Sequence, residues 1–411
     1  MKLSKLRVEH DVKMRDKTCA RVICNIQTKY TDTNELYFWV DEEYASFLTS
    51  DVYDAFLVAV LYPAMHYGED IEIEGNVSKK LYFNIVNYVM AVVRDYAILT
   101  KKHFKPVSIK VKGFADAQKN EQLHVGTGFS GGIDSFSTLV DRFYKEKDPD
   151  YKIDTLFFFH VGQYGKVTNP LSWERANNRF TITHDYGKLI GLPAIMMNTN
   201  LFDFYQPEWE YSGGLLIRCA SVLVFQKALK RYYISNATTY GERVSTVSSM
   251  PSPDMAEFAD PIIMPLLSPV GLDIIDDGEQ NFRTIKTARI IDNAHAQQFL
   301  NVCVNSSDNH LDATNCSLCS KCLRTLFALD SLDALEKFKK VFNLEIWRKK
   351  AFGYKCHCIT MYSKDPFARD NIDFARKNGK KLPSNFVAYT YVYSLKVLRL
   401  PKRIINKLRN L

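Results

Sequence analysis

Two clusters of residues have types and spacings that could do chemistry. The first is Cys316-Ser-Leu-Cys319-Ser-Lys-Cys322, with Cys303 thirteen residues upstream. Two-residue spacers let neighbouring sulfurs turn toward one point, and four thiolates close a tetrahedral shell around Zn2+. A closed shell leaves no position for water, so the expected metal is structural; iron satisfies the same four-sulfur spacing. Lys321 and Arg324 bring positive charge to these cysteines, which favours the thiolate form. The chain of 411 residues holds nine cysteines, an odd and sparse count that does not read as a disulfide framework. Cys356-His-Cys358 is read as a pair of buried thiols rather than a second metal site.

The second cluster is Gly126-Thr-Gly128-Phe129-Ser130-Gly131-Gly132-Ile133-Asp134-Ser135. Its glycines satisfy the G-x-G-x-x-G dinucleotide pattern, which also expects an acid at the end of the following strand. That strand ends in Phe159-His160-Val161-Gly162, without a carboxylate. A Walker A loop is excluded because no Gly-Lys-Ser/Thr follows. Ser130 to Ser135 reads instead as an anion cradle of another kind. Gly131 and Gly132 permit close backbone approach, a helix start aims free N–H groups, and two hydroxyls add donors. Asp134 would repel a phosphate directly, so it is expected to hold Mg2+ or brace the loop.

The elements that must position these clusters follow from periodicity. From Gln122 onward, strand-like and helical segments alternate: Leu123–Phe129, Ile133–Tyr144, Ile153–Phe159, Trp173–Ile190, Pro193–Asn198, Gly213–Lys230 and Tyr232–Ser235. Pro261–Leu267 is read as a later strand or extended segment. This alternation predicts an α/β fold with a parallel sheet and right-handed crossovers, with the ligand at the carboxyl ends of the strands. The first 120 residues mix alternating segments with helical ones (Asp51–His66, Leu81–Thr100) and are expected to form an α+β N-terminal domain. The expected division is 1–120, 121–330 and a mainly helical, basic region 331–411.

Ser130-Gly131-Gly132-Ile133-Asp134-Ser135 resembles the S-G-G-x-D-S loop of the N-type ATP pyrophosphatases, the PP-loop or adenine nucleotide alpha-hydrolase superfamily. Together with Cys303, Cys316, Cys319 and Cys322, the order of motifs is similar to that of the 7-cyano-7-deazaguanine synthase family, over roughly residues 122–330. The segment Asn315 to Leu329 resembles more closely an uncharacterised bacterial branch found near polysaccharide or defence genes, which also carries an N-terminal extension. The deazaguanine synthases are shorter and have a tighter spacing from the first to the second zinc cysteine than the twelve intervening residues here. The resemblance implies a Rossmann-like PP-loop core that binds ATP and Mg2+, cleaves ATP to AMP and pyrophosphate, and adenylates an oxygen of an acceptor for nitrogen transfer. It implies that Ser130, Gly131, Gly132, Asp134 and Ser135 grip the pyrophosphate and its metal. His160 then lies near the adenosine, and Asn198, or Asn200, meets the adenine edge. Arg283 and Lys286 match the family's basic residue and neutralise the leaving pyrophosphate. The polar stretch Thr239–Met255 has the length of a substrate lid.

Composition narrows the remaining classes. Hydrophobic residues make up 46% and charged residues 24%, which supports a full core and excludes a disordered chain. No apolar run approaches the length of a membrane span, and the N-terminus turns polar before a signal-peptide core could form. A cytoplasmic protein with no membrane partner is expected. The net charge of +8 is uneven: residues 331–411 hold 19 Lys and Arg against 6 Asp and Glu. A small-molecule acceptor is the first expected partner. Nucleic acid, reached through the basic C-terminal region, is the second, which would make this a tRNA-modifying PP-loop enzyme. A nucleotide-binding component of a bacterial defence complex is the third reading, and a homodimer or complex partner is left open.

Overall fold

A computed structural model describes residues 1–15, 17–99, 103–116, 122–166, 168–205, 214–249, 259–303, 314–395 and 397. Contacts divide the chain into two compact units: Met1–Ser130 with Thr138–Glu279, and Gly131–Ser137 with the chain from Gln280 onward.

The first unit is built on a ten-stranded α/β sheet. Its strands are β1 (Lys2–Met14), β2 (Lys17–Gln27), β3 (Glu35–Asp41), β4 (Ile71–Val77), β5 (Ile109–Phe114), β6 (His124–Gly128), β7 (Thr155–His160), β8 (Ala194–Thr199), β9 (Leu229–Ser235) and β10 (Asp273–Asp277). Their order is β10-β9-β6-β7-β8-β3-β2-β1-β4-β5. Most neighbours are parallel; β1–β2, β2–β3 and β3–β8 are antiparallel. Every residue of β8, and all but one of β7, is buried, as expected of strands covered on both faces. β4 instead alternates buried and exposed residues over Ile71–Glu74.

Numbered among themselves, the five parallel strands from β6 onward are ordered 3-2-1-4-5, the start of the doubly wound Rossmann order. The topological switch point, where successive connections leave in opposite directions, lies between β6 and β9. The glycine-rich segment leaves the carboxyl end of β6, as its sequence position required.

The helices are α1 (Asp54–Tyr67), α2 (Lys79–Asn84), α3 (Met90–Leu99), α4 (Ile133–Leu139), α5 (Pro170–Ile190), α6 (Gly214–Leu223), α7 (Tyr240–Ser249), α8 (Asp260–Leu266), α9 (Arg283–Ile290), α10 (Ala296–Phe299), α11 (Ser320–Ser331), α12 (Leu344–Met361) and α13 (Pro366–Lys377). A further helix, α14, covers 385–395. α1 is apolar all round because it is a core helix, buried from Asp54 to Met65. Among the described residues, no helix is long and apolar enough to cross a membrane.

The structure groups the chain differently from the expected boundaries at 120 and 330. Residues 1–114 contribute five strands to the same sheet as β6–β10, joined where Phe38 and Trp39 of β3 pair with Thr199 and Asn198 of β8. Asn200 closes that junction: its Oδ1 accepts from the Tyr37 N–H at 3.0 Å and its Nδ2 donates to the Glu35 carbonyl at 2.7 Å. Asn200 is therefore a sheet clamp, which displaces its reading as an adenine contact.

Two local expectations are corrected. The expected segment Pro261–Leu267 is helical over Pro261–Leu266, within α8, because Pro261 occupies the first turn, where its fixed φ suits a helix and its missing N–H costs nothing. The fifth parallel strand is β10, whose Asp-rich sequence carried little strand signal. The helix expected over Gly213–Lys230 stops at Leu223, since Leu229 and Arg231 are recruited to the ladder opposite His124 and Asp273. The segment read as a lid, Thr239–Met255, begins as α7, and its remainder, with Asp254, lies outside the described residues.

Candidate functional site

The second unit carries the four cysteines and Gly131–Ser135 of the glycine loop. Asn315 prepares the cysteine site from a fully buried position. Its Oδ1 accepts from the Val302 and Cys303 N–H groups at 2.8 and 3.1 Å, while its Nδ2 donates to the carbonyls of Leu300 and Val341 at 2.8 and 3.0 Å. The segment bearing Cys303 is thereby tied to the segment bearing the other three. Ser317 takes a left-handed φ of 57°, turning the chain so that the Leu318 and Cys319 N–H groups donate to Cys316 Sγ. Cys319 Sγ in turn accepts from the Cys322 N–H at 3.5 Å and caps α11.

All four Sγ atoms lie within 4.8 Å of one another, with Cys316 and Cys322 at 3.8 Å and Cys319 and Cys322 at 3.3 Å. A Zn–S bond of about 2.3 Å implies sulfurs about 3.8 Å apart at the corners of a tetrahedron. The cluster has the size and donor set to hold a metal such as zinc. Contact with Cys319, then burial, raises the thiol of Cys322, which favours its neutral form until a cation binds.

Helix α11 also carries Lys321 and Arg324, and these do more than neighbour the cysteines. In the same unit, Asp134 Oδ2 accepts from Arg283 Nη1 at 2.6 Å, and Lys286 Nζ lies 3.9 Å from Oδ1. Arg324 stacks its guanidinium 3.9 Å from the ring centre of Phe367. Burial first, and then Arg283, pushes Arg324 down to about 10; burial followed by Arg283 and Arg324 lowers Lys321. Burial is the larger cause of both depressions and neighbouring positive charge the next, while the charge of Asp134, paired with Arg283 and Lys286, opposes both. Asp134 Oδ1, Arg283 Nε and Arg324 Nε are buried without a hydrogen-bond partner among the described residues. Arg283 is held in place because the next residue, Thr284, donates from N and Oγ1 to the Asp370 carboxylate.

The glycine loop contributes its backbone. Gly131 has φ 72°, a conformation that penalises any side chain, and its carbonyl accepts from the Asn301 N–H at 2.7 Å. Ser135 Oγ donates to the Gly132 carbonyl at 3.0 Å, so this hydroxyl braces the first turn of α4 and offers its lone pairs rather than its proton. Ser130 is exposed.

In the first unit, His160 and Asn198, at the ends of β7 and β8, meet each other, with His160 Nδ1 3.0 Å from Asn198 Oδ1. His160 Nε2 lies 3.2 Å from Ser172 Oγ. Both residues are 0% exposed. Burial lowers the His160 pKa, so the neutral imidazole serves as an internal brace behind the strand ends, not as a side chain presented to a nucleotide. Arg243 of α7 pairs with Asp276 at 2.8 Å, both buried, and burial pushes Asp276 up to about 7.

The geometry unites Asp134, Arg283 and Lys286 of the expected site and adds Lys321 and Arg324. These two were read only as neighbours of the thiols, although their place on the helix opened by Cys319 was the available signal. Cys356 and Cys358 lie two apart on α12, about 200° around the helix, so they do not face one point. No family model, curated protein or solved structure matches the chain.

Proposed function

We propose that this chain is an ATP-dependent enzyme that binds the triphosphate at Ser130–Ser135, cleaves ATP to AMP and pyrophosphate, and adenylates an oxygen of a small-molecule, nucleobase or sugar acceptor for nitrogen transfer. One observation carries the reading: a glycine loop at the start of a helix bears Asp134, which pairs with Arg283 and Lys286 and whose charge also reaches Lys321 and Arg324. Helix starts and nests of backbone N–H groups suit phosphate, and excess buried cation suits the charge that collects on a departing pyrophosphate. The position of the loop after the first strand of a doubly wound sheet supports the same reading.

The backbone of Gly131 and Gly132 and the hydroxyl of Ser130 would hold the phosphates. Arg283, Lys286, Lys321 and Arg324 would offset the growing negative charge, and Asp134, whose Oδ1 has no hydrogen-bond partner among the described residues and lies 3.9 Å from Lys286 Nζ, would be the ligand for Mg2+. Bound Mg2+ would supply charge neutralisation across the phosphates. The protein's share is positioning and electrostatics, with no covalent step on its own residues. The cysteine cluster is a structural support, since a four-thiolate shell has no open coordination position.

The test separates the products formed from Mg-ATP in the presence of a cellular metabolite extract. AMP and pyrophosphate are expected, with one metabolite consumed. ADP and phosphate, or no ATP-dependent rise in Tm together with no product, would remove the assignment.

A further inference from the structure

The four cysteines of the cluster differ in how far solvent reaches them. Cys303, Cys316 and Cys322 are buried, whereas Cys319 is partly exposed. Cys319 also stands closer to Cys322 than Cys316 does, with Sγ atoms 3.3 Å apart against 3.8 Å. The Cys322 N–H donates to Cys319 Sγ where this residue opens α11, so the helix start itself holds the pair together. A sulfur that solvent reaches, with a second sulfur beside it, is the arrangement that oxidation turns into a disulfide.

Both halves of the proposed anion site are tied to these sulfurs. Lys321 lies between Cys319 and Cys322 in the first turn of α11, and Arg324 follows two residues after Cys322. On the other side, the Asn301 N–H donates to the Gly131 carbonyl at 2.7 Å and braces the glycine loop. Asn301 is two residues from Cys303. A metal held by the four sulfurs would therefore fix the loop and α11 to one point.

We propose that the four-cysteine cluster is a redox switch on the anion site, thrown by a peroxide that joins Cys319 to Cys322. What is switched rests on the nucleotide reading above; the thiol step does not. The Cys319 thiolate attacks a peroxide oxygen, becomes a sulfenic acid and releases hydroxide. The Cys322 thiolate then attacks that sulfur, closes the disulfide and expels a second hydroxide. The two sulfurs lose two electrons to the peroxide, and two protons from solvent convert both hydroxides to water. Cys303 and Cys316 alone do not complete a four-sulfur shell, so the metal departs and these two take up protons. The tie between the glycine loop and α11 is then lost, and affinity for phosphate groups falls.

The test treats the full chain, loaded with Zn2+, with hydrogen peroxide. A chromogenic chelator reads the released metal, peptide mass spectrometry maps the disulfide, and calorimetry follows binding of inorganic pyrophosphate without Mg2+. Expected are loss of the metal, a Cys319–Cys322 bond, and pyrophosphate binding weakened about tenfold. Dithiothreitol with Zn2+ should restore both metal and affinity. Cys356→Ser should respond to peroxide as the parent chain does, since Cys356 and Cys358 lie outside the switch. Metal retained under peroxide, or a disulfide that leaves out Cys319, overturns the proposal. So does metal release with unaltered pyrophosphate affinity. If the reduced, loaded chain binds no pyrophosphate, the nucleotide reading fails and the switch with it, while chelator and peptide map still decide the thiol step.

Discussion

Asp134 pairs with Arg283 and Lys286 and its charge reaches Lys321 and Arg324, so its removal should act in two directions. Without Mg2+, Asp134→Ala leaves the four cations uncompensated, so inorganic pyrophosphate should bind about tenfold more tightly, which is about 1.4 kcal/mol. With Mg-ATP, the same variant should release no AMP. Calorimetric titration with pyrophosphate reads the first effect and product analysis the second; weaker anion binding would show that Asp134 does not oppose the anion. His160 permits a prediction about pH. Its native pKa is lowered by burial from 6.5, so the unfolded chain takes up this proton more readily than the folded one. Its contribution to stability is present above about pH 6.5 and is lost as pH falls through the lower native value. Tm should therefore fall between pH 7 and pH 5, and His160→Gln should make that fall shallower. Parallel pH profiles of the two proteins would sink the assignment of a neutral buried imidazole.

At the scale of elements, α11 links the two clusters. Its first turn, fixed by Cys319 and Cys322, carries Lys321, Arg324 follows two residues after Cys322, and the charge of Asp134 reaches both. Metal binding thus contributes folding free energy to the helix that orients half of the cations. Cys319→Ser should release metal, lower Tm and weaken pyrophosphate binding together, while Cys356→Ser, a buried thiol away from the cluster, should retain the metal. Metal content by mass spectrometry, with the same calorimetric titration, checks this; metal loss with unchanged anion affinity would separate the clusters. The cysteine spacing was legible in the sequence because a two-residue spacer is a local geometric constraint. The cations were legible only in part. Nothing in the sequence places Phe367 beneath Arg324, since that contact joins α11 to α13.

For the molecule as a whole, the sheet does not stop where the sequence pattern changes near residue 120. β8 is buried along its length and pairs with β3 on one side, so removing the N-terminal residues would expose a long apolar edge. The shared core also runs through α1 and α6. A chain beginning at Gln122 should be insoluble or show no cooperative unfolding transition, rather than behaving as a free nucleotide-binding domain. A soluble fragment with a sharp melting transition would contradict this.

What the sequence determined by itself was local and periodic. It marked the α/β alternation from Gln122, the buried strands β7 and β8, the glycine loop and the four converging cysteines, each of which depends on neighbours a few residues apart. Tertiary structure decided what depends on distant partners. It turned Pro261–Leu266 into a helix and recruited Asp273–Asp277 as a strand. It enclosed His160 against Asn198 and Ser172, and drew Lys321 and Arg324 to Asp134 across nearly two hundred residues. The physical reason is the same in each case: spacing reports which way a side chain can point, whereas burial and charge are settled only by what the rest of the chain packs against it.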